Sequence, residues 1–129
     1  MNKYDEILEM NFHFEINVWI EYSKKLDFII DIDYVDFLKQ SNGGKLLSSN
    51  LYLEFWRLED IIMLNPYYED VDECKKLFFF GTDGSNLGYG FNKKTGYIVC
   101  IDFLEIGYSV PKILANHFKE FLDKLIIQK

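Results

Sequence analysis

The central stretch of the chain reads Leu77-Phe78-Phe79-Phe80-Gly81-Thr82-Asp83-Gly84-Ser85-Asn86-Leu87-Gly88-Tyr89-Gly90-Phe91. The unbroken apolar run at 77–80 predicts a strand buried on both faces, because a strand with one solvated face alternates apolar and polar side chains. Residues 88–91 predict a second strand, and the glycine-rich segment between the two predicts a turn. This stretch therefore predicts a strand–turn–strand unit inside the core.

Further strands are predicted on both sides of this unit. Residues 51–56 alternate apolar and polar side chains, the pattern of a half-buried strand. Residues 97–101 predict a strand that pairs with 88–91 through the hairpin loop 92–96, where Gly96 is the position expected to need a positive φ.

Helices are predicted before, between and after the strands. A first helix follows the apolar residues Ile16, Trp19, Ile20 and Leu26. A second begins at a cap provided by Asp31 or Asp33 and ends at Asn42-Gly43-Gly44. A short third helix covers 58–64 and ends before Pro66. The closing helix buries one apolar face, formed by Leu114, Phe118, Phe121, Leu122, Leu125 and Ile126.

This order of elements predicts the α+β class. Two helices, a run of strands with one helical interruption and a final helix do not form the alternating βαβ pattern of a doubly wound sheet. We expect a mainly antiparallel sheet with helices packed against it. At 129 residues, the chain is predicted to form a single domain over 1–129.

Composition excludes several classes of protein. Hydrophobic residues make up 49% of the chain and aromatic residues 18%, which is too much apolar surface for a disordered protein. The formal net charge of −7 disfavours nucleic acid and anionic membranes as partners and favours basic ones. The acidic N-terminus does not resemble a signal peptide, and two cysteines are too few for a disulfide framework. We therefore expect a cytoplasmic protein.

No catalytic or metal-binding pattern emerges from the sequence. The turn at 81–90 matches neither the dinucleotide fingerprint nor the Walker loop, and it precedes a strand instead of a helix. The two histidines, His13 and His117, lie near opposite ends of the chain. Ser85 lacks the surroundings of an activated nucleophile. We expect no enzymatic activity, cofactor, metal or small-molecule substrate; an enzyme or ligand binder using Asp83 in the 81–90 turn is the alternative.

An acidic segment is the strongest candidate for binding another protein. Residues 67–76 are predicted to form a loop in which tyrosines adjoin several carboxylates, close to Trp56 and Arg57. Tyrosine, tryptophan and arginine are enriched among the residues that dominate protein interfaces. The candidate partner-binding residues are Tyr67, Tyr68, Glu69, Asp70, Asp72 and Glu73.

Four landmarks in order resemble the SMI1/KNR4 family of the SUKH superfamily. They are Asp33-Tyr34-Val35-Asp36-Phe37-Leu38 leading to Asn42-Gly43-Gly44, Leu53-Glu54-Phe55-Trp56-Arg57-Leu58-Glu59-Asp60-Ile61, Phe79-Phe80-Gly81-Thr82-Asp83-Gly84 leading to Tyr89-Gly90-Phe91, and Asn116-His117-Phe118-Lys119-Glu120-Phe121-Leu122. One departure is Ile30-Asp31, where the family often has Leu-Pro before the "DY" pair.

The resemblance implies function by binding. Bacterial members of this superfamily are regarded as immunity proteins that neutralise a cognate toxin, frequently a nuclease, and fungal members as regulators linked to cell-wall synthesis. We therefore expect a bacterial immunity protein with a basic toxin as its partner, and a regulatory adaptor without a toxin as the alternative. The family has no shared catalytic residues to carry over.

Overall fold

The structure of the protein is a computed structural model, and it describes residues 8–10, 13–47, 52–72, 74–106 and 110–127. Within them the strands are β1 (Leu8–Met10), β2 (Gly44–Leu47), β3 (Tyr52–Phe55), β4 (Leu77–Thr82), β5 (Leu87–Asn92), β6 (Ile98–Asp102) and β7 (Lys112–Ala115). The helices are α1 (Ile16–Ser23), α2 (Ile32–Ser41), α3 (Leu58–Glu69) and α4 (Phe118–Ile127), with a 3₁₀ turn at Phe103–Glu105.

All of these strands form one antiparallel sheet in chain order, from β1 at one edge to β7 at the other. The predicted α+β class is confirmed. The strands predicted at 51–56, 77–80, 88–91 and 97–101 correspond to β3, β4, β5 and β6. Three further strands were not predicted: the edge strands β1 and β7, and the inner strand β2. Each is too short to show a periodic pattern.

Strand β4 is buried on both faces, as its apolar run predicted. On one face, the ring centroid of Phe80 lies 5.5 Å from that of Tyr34 in α2 and 5.6 Å from that of Phe118 in α4. On the other face, Phe79 lies 4.8 Å from the ring of Tyr68 in α3. Helices α2 and α4 therefore cover one face of the sheet at this strand, and α3 covers the other.

Asn65 in α3 takes the place of a strand beside β4. Pairing between β3 and β4 ends where the chain turns into α3, with the amide of Trp56 donating to the carbonyl of Phe80. At the next position, Asn65 Oδ1 accepts from the backbone N–H of Phe79 at 2.8 Å, and Asn65 Nδ2 donates to the Phe79 carbonyl at 2.9 Å. Only 4% of Asn65 is exposed, so its side chain takes the place of water as the partner of the backbone N–H and carbonyl of Phe79.

A second buried amide, Asn42, joins the end of α2 to the start of α3. Asn42 adopts the left-handed conformation (φ 47°), and its amide donates to the Leu38 carbonyl at 2.7 Å. Its Oδ1 accepts from the amide of Leu58 at 2.8 Å, and its Nδ2 donates to the carbonyl of His13. A Cβ on Gly43 would lie 2.7 Å from the carbonyl oxygen of Phe55. The helix end predicted at 42–44 is confirmed: Asn42 is the left-handed cap residue, and Gly43 and Gly44 follow it with φ of 88° and 129°.

Asp31 caps two helices at once. One carboxylate oxygen accepts from the amide of Asp33 at 2.9 Å and caps α2, while the other accepts from the amide of Phe118 at 2.9 Å, in the first turn of α4. Of the two predicted cap residues, Asp31 is the one used. The carboxylate is favourable at both sites because free N–H groups and the helix dipole favour negative charge there.

Helix α3 is longer than predicted. It passes through Pro66 and ends at Glu69, so the predicted end before Pro66 is wrong. Asn65, immediately before the proline, is held by Phe79 and also donates to the Ile61 carbonyl at 3.1 Å, and Tyr68, two residues after it, packs on the sheet. These contacts hold the helix on both sides of the proline, and they offset the lost hydrogen bond.

Two other helix predictions need correction. Leu114 belongs to β7 and not to the closing helix, which begins at Phe118. Helix α1 ends at Ser23, before Leu26, and of its predicted apolar stripe only Trp19 is buried, since Ile16 and Ile20 remain 44% and 43% exposed. The side chain of Ile126 lies outside the described residues.

Tyr34 occupies the centre of the aromatic core. Its ring centroid lies 5.2 Å from that of Phe118 and 5.3 Å from that of Phe91, and only 1% of the residue is exposed. Its hydroxyl has no hydrogen-bond partner within the part of the chain that the structure describes. Burial, together with the nearby Tyr22, raises the pKa of Tyr34 far above its ordinary value.

We expect Asn65→Ala to lower the free energy of unfolding by about 2–4 kcal/mol, because it leaves two buried backbone groups of Phe79 without partners. Urea denaturation followed by circular dichroism measures the change. The matched control is Asn17→Ala at an exposed position of α1, expected to change the free energy by less than about 0.5 kcal/mol. Equal effects of the two substitutions would contradict the role of Asn65.

We expect Tyr34→Phe to leave the stability at neutral pH unchanged or to raise it by up to about 1 kcal/mol, because the hydroxyl is buried without a partner. The exposed Tyr97→Phe is the matched control. A loss of more than about 1 kcal/mol would show that the hydroxyl has a stabilising partner.

The same variant should alter the stability of the protein in alkali. The folded-state pKa of Tyr34 is raised above its ordinary value of 10.0, so the unfolded chain loses this proton at a lower pH than the folded chain does. The effect of this difference on the free energy of unfolding is fully favourable below pH 10 and is lost as the pH rises above it. Replacing it should make the decline in unfolding free energy above pH 10 shallower by about 1.4 kcal/mol per pH unit. Unfolding curves at stepped alkaline pH measure the slope, and equal slopes would contradict the expectation.

Candidate protein-binding surface

The candidate residues lie at the C-terminal end of α3 and in the turn that follows. Tyr67, Tyr68 and Glu69 are helical, so the predicted loop over 67–76 is wrong for its first three residues. Asp70 and Asp72 follow in the turn, and Glu73 lies outside the described residues. The sequence placed these tyrosines in a loop because Pro66 resembles a helix end, whereas the contacts of Asn65 and Tyr68 carry the helix through it.

The two adjacent tyrosines point in different directions. Tyr67 is 70% exposed. Tyr68 is half-buried, and its ring stacks on Phe103 with centroids 5.0 Å apart and an interplanar angle of 14°. Burial raises the pKa of Tyr68. Tyr67 is therefore available to a partner, while Tyr68 anchors the end of α3 to the sheet.

The carboxylates also differ in what they face. Glu69 lies close enough to Tyr22 in α1 that its charge, added to the larger effect of burial, raises the pKa of Tyr22 to about 12. Asp70 is exposed. Asp72 is exposed as well and forms an ion pair with Lys75, with Oδ1 and Nζ 3.4 Å apart. Asp70 and Asp72 therefore face solvent, while Glu69 lies over the gap between α3 and α1.

The structure adds Met63 to this surface. Met63 lies one helical turn before Tyr67 and is 58% exposed, so the two side chains share a face of α3. Sequence reasoning assigns a methionine within an apolar helix to the core, which is why it was missed. The available signal was the spacing of four residues between Met63 and Tyr67, which places the two side chains on one face of a helix.

Trp56 and Arg57, which precede this segment in the sequence, make contacts within the fold. Trp56 is buried. Arg57 pairs with Asp60, with Nε and Oδ2 3.2 Å apart, and with Glu59. These pairs lie within the first turn of α3, where acidic side chains also interact favourably with the helix dipole.

The turn at 81–90 is built from internal contacts. The Asp83 carboxylate accepts from the amides of Ser85 and Leu87 at 2.9 and 3.1 Å. Gly84 has a φ of 80°, and a Cβ on Gly90 would lie 2.5 Å from the carbonyl oxygen of Phe78. The glycines therefore serve a tight turn and a close strand approach, as the structural interpretation predicted.

The histidines form local contacts in separate parts of the structure. His13 pairs with Glu15 at 2.8 Å, and His117 accepts from the amide of Glu120 at 3.3 Å. Among the described residues, no group of three or more His, Cys, Asp or Glu side chains is arranged to hold a metal ion. None of the described helices combines the length and the apolar character needed to cross a bilayer.

Comparison with known families matches residues 17–124 to the SMI1 / KNR4 family (SUKH-1). The match spans α1 to α4, so it includes the whole of the candidate surface and all of the sheet except β1. The chain belongs to the SMI1/KNR4 family, and the resemblance inferred from four sequence landmarks is confirmed. A search of curated proteins finds no match to the chain.

We expect Glu69→Gln to lower the pKa of Tyr22 from about 12, because it removes the negative charge next to the phenol while leaving the burial in place. The decrease should be smaller than the remaining elevation, since burial is the larger cause. Titration of the Tyr22 ring by NMR measures it. Asp70→Asn is the matched control, and a pKa lowered as much by Asp70→Asn as by Glu69→Gln would contradict the described orientation.

Proposed function

We propose that this chain is a bacterial immunity protein that acts as a single domain in the cytoplasm. It binds a toxin domain through the outer face of α3 and the following turn, and it neutralises the toxin by covering its working surface. The observation that carries the proposal is the exposed Met63–Tyr67 pair beside a cluster of carboxylates, on a chain of the SMI1/KNR4 family. No catalytic step is required of an inhibitor that acts by occlusion.

The apolar part of this surface supplies the contact area. Met63 and Tyr67 project from consecutive turns of one helix, and the backbone beneath them is fixed by Asn65 and Tyr68. A rigid aromatic side chain loses little conformational entropy on binding, which is why tyrosine is common at the centres of interfaces. Methionine adapts its shape to a partner's surface at small energetic cost.

The charge around this pair identifies the kind of partner. Glu59, Asp60, Glu69, Asp70 and Asp72 lie along α3 and its following turn, and Arg57 is the one basic residue in the segment 57–72. A nuclease toxin needs a basic surface to bind nucleic acid. An acidic protein is steered toward such a surface, and one that covers it blocks access of the nucleic acid.

Co-expression tests this function. A toxin domain encoded beside the gene for this chain should kill or arrest a host cell when expressed alone and should be harmless when this chain is co-expressed. A stoichiometric complex of the two purified proteins should accompany the rescue. Failure to rescue the cell would contradict the immunity function, and capture of several unrelated cellular proteins instead of one toxin would favour the regulatory adaptor.

We expect Asp70→Lys to slow association with the basic toxin about two- to fivefold at low salt, because the local charge that steers the encounter is reversed. The control is Asp36→Lys in α2, which is also exposed and also raises the net charge from −7 to −5. Stopped-flow association rates over a range of ionic strength measure the effect. Equal rates for the two variants would exclude the end of α3 as the docking site.

A further inference from the structure

A cavity of about 480 Å³ lies beside the proposed toxin-binding surface. One wall is the end of α1 with the segment that follows it, including Tyr22, Lys25 and Phe28. The other walls are the inner side of α3 at Glu69, the segment at Lys75, Phe78 of β4 and Lys93 in the β5–β6 turn. The cavity is within the size range of small-molecule binding sites in proteins.

The charge of this cavity is opposite to that of the whole chain. Lys25, Lys75 and Lys93 line it, together with Asp27 and Glu69, so its formal charge is +1 on a protein of −7. Lys25 forms no ion pair with the described residues. The pair of Lys75 with Asp72 at 3.4 Å joins two exposed side chains and is therefore weak. Lys93, whose side chain is 19% exposed, pairs with the exposed Asp27 at 3.7 Å. These ammonium groups can bind an anion.

The cavity also offers an aromatic surface and a free hydrogen-bond donor. Phe28 is half-buried and supplies this surface, while Phe78 behind it, with ring centroids 5.3 Å apart, is only 2% exposed. Lys93 Nζ lies 5.9 Å from the Phe28 ring centroid. The Tyr22 hydroxyl makes no hydrogen bond with the described residues. Because the pKa of Tyr22 is about 12, this hydroxyl keeps its proton at neutral pH and can donate it to an anionic oxygen.

We propose that this cavity binds a small organic anion with a flat aromatic ring. The ring packs on Phe28, the anionic group lies among the lysines and the Tyr22 hydroxyl, and Glu69 accepts a hydrogen bond from a donor on the ring. Nucleoside monophosphates have all three features, whereas simple aryl carboxylates have the ring and the anion without the donor. The cavity shares Glu69 with the proposed toxin-binding surface but contains neither Met63 nor Tyr67, so the binding of an anion can be tested without the toxin.

Titration of the full chain with AMP, adenosine and benzoate, followed by NMR, tests the site. AMP should shift the signals of Tyr22, Phe28 and Lys75. Adenosine, which lacks the anion, should bind about tenfold more weakly, because it cannot form the charge-assisted hydrogen bonds with the lysines. Binding of benzoate as tight as that of AMP would identify the aryl carboxylates as the ligand class and would exclude the role given to Glu69.

Two lysine substitutions complete the test. Lys25→Met should weaken AMP binding about tenfold by removing an unpaired ammonium group, while Lys39→Met on the exposed side of α2 should leave it unchanged. Both residues are exposed, so we expect both variants to fold, and thermal denaturation checks this. The proposal is overturned if AMP shifts none of the cavity residues at millimolar concentration, or if the two variants weaken binding equally.

Discussion

Two hydrogen bonds between the Asn65 side chain and the backbone of Phe79 determine how the middle of this protein is built. Strand β3 stops before it has paired with the whole of β4, and a buried backbone amide and carbonyl would otherwise be left without partners. The Asn65 amide supplies one donor and one acceptor, as a strand residue would. The chain can therefore leave the sheet at α3 without exposing β4 to water.

The two hydrogen bonds between Asn65 and Phe79 also position the candidate binding surface. They fix the helix immediately before Pro66, and the stacking of Tyr68 on Phe103 fixes it after the proline. Asn65 and Tyr68 hold one side of α3 against the sheet, and Met63 and Tyr67 are exposed on its other side. A single set of packing contacts thus stabilises the fold and presents a preorganised surface to a partner, which reduces the entropy lost on binding.

The fold class could be predicted because its signals are local. The apolar run at 77–80 is buried on both faces and the Asn42-Gly43-Gly44 stop ends α2, as each pattern indicated, and Asp31 is the cap out of the two candidates that the sequence offered. The errors also have physical causes. Leu114 has helical spacing to Phe118 but lies in β7, and an apolar residue at such a boundary fits either period. Pro66 indicates a helix end only when nothing on either side of it holds the helix.

The candidate site could be predicted only as a segment. The sequence identified residues 67–76 as an acidic segment with two tyrosines, but it could not show that Tyr67 faces solvent while Tyr68 faces Phe79, since that depends on which side of α3 meets the sheet. The cavity at Tyr22 could not be predicted at all, because its lysines come from three distant parts of the chain.

By itself, the sequence determined the α+β class, the family, the acidic charge and the C-terminal end of α2, since these depend on composition and on contacts within a few residues. Only the tertiary structure decided the length of α3, the second helix that Asp31 caps and the exposure of Met63. Each of these depends on a partner that is distant in sequence: Asn65 bonds to Phe79 and Asp31 to Phe118. Burial determines the strength of such contacts, and a local sequence pattern does not show which distant residues are buried together.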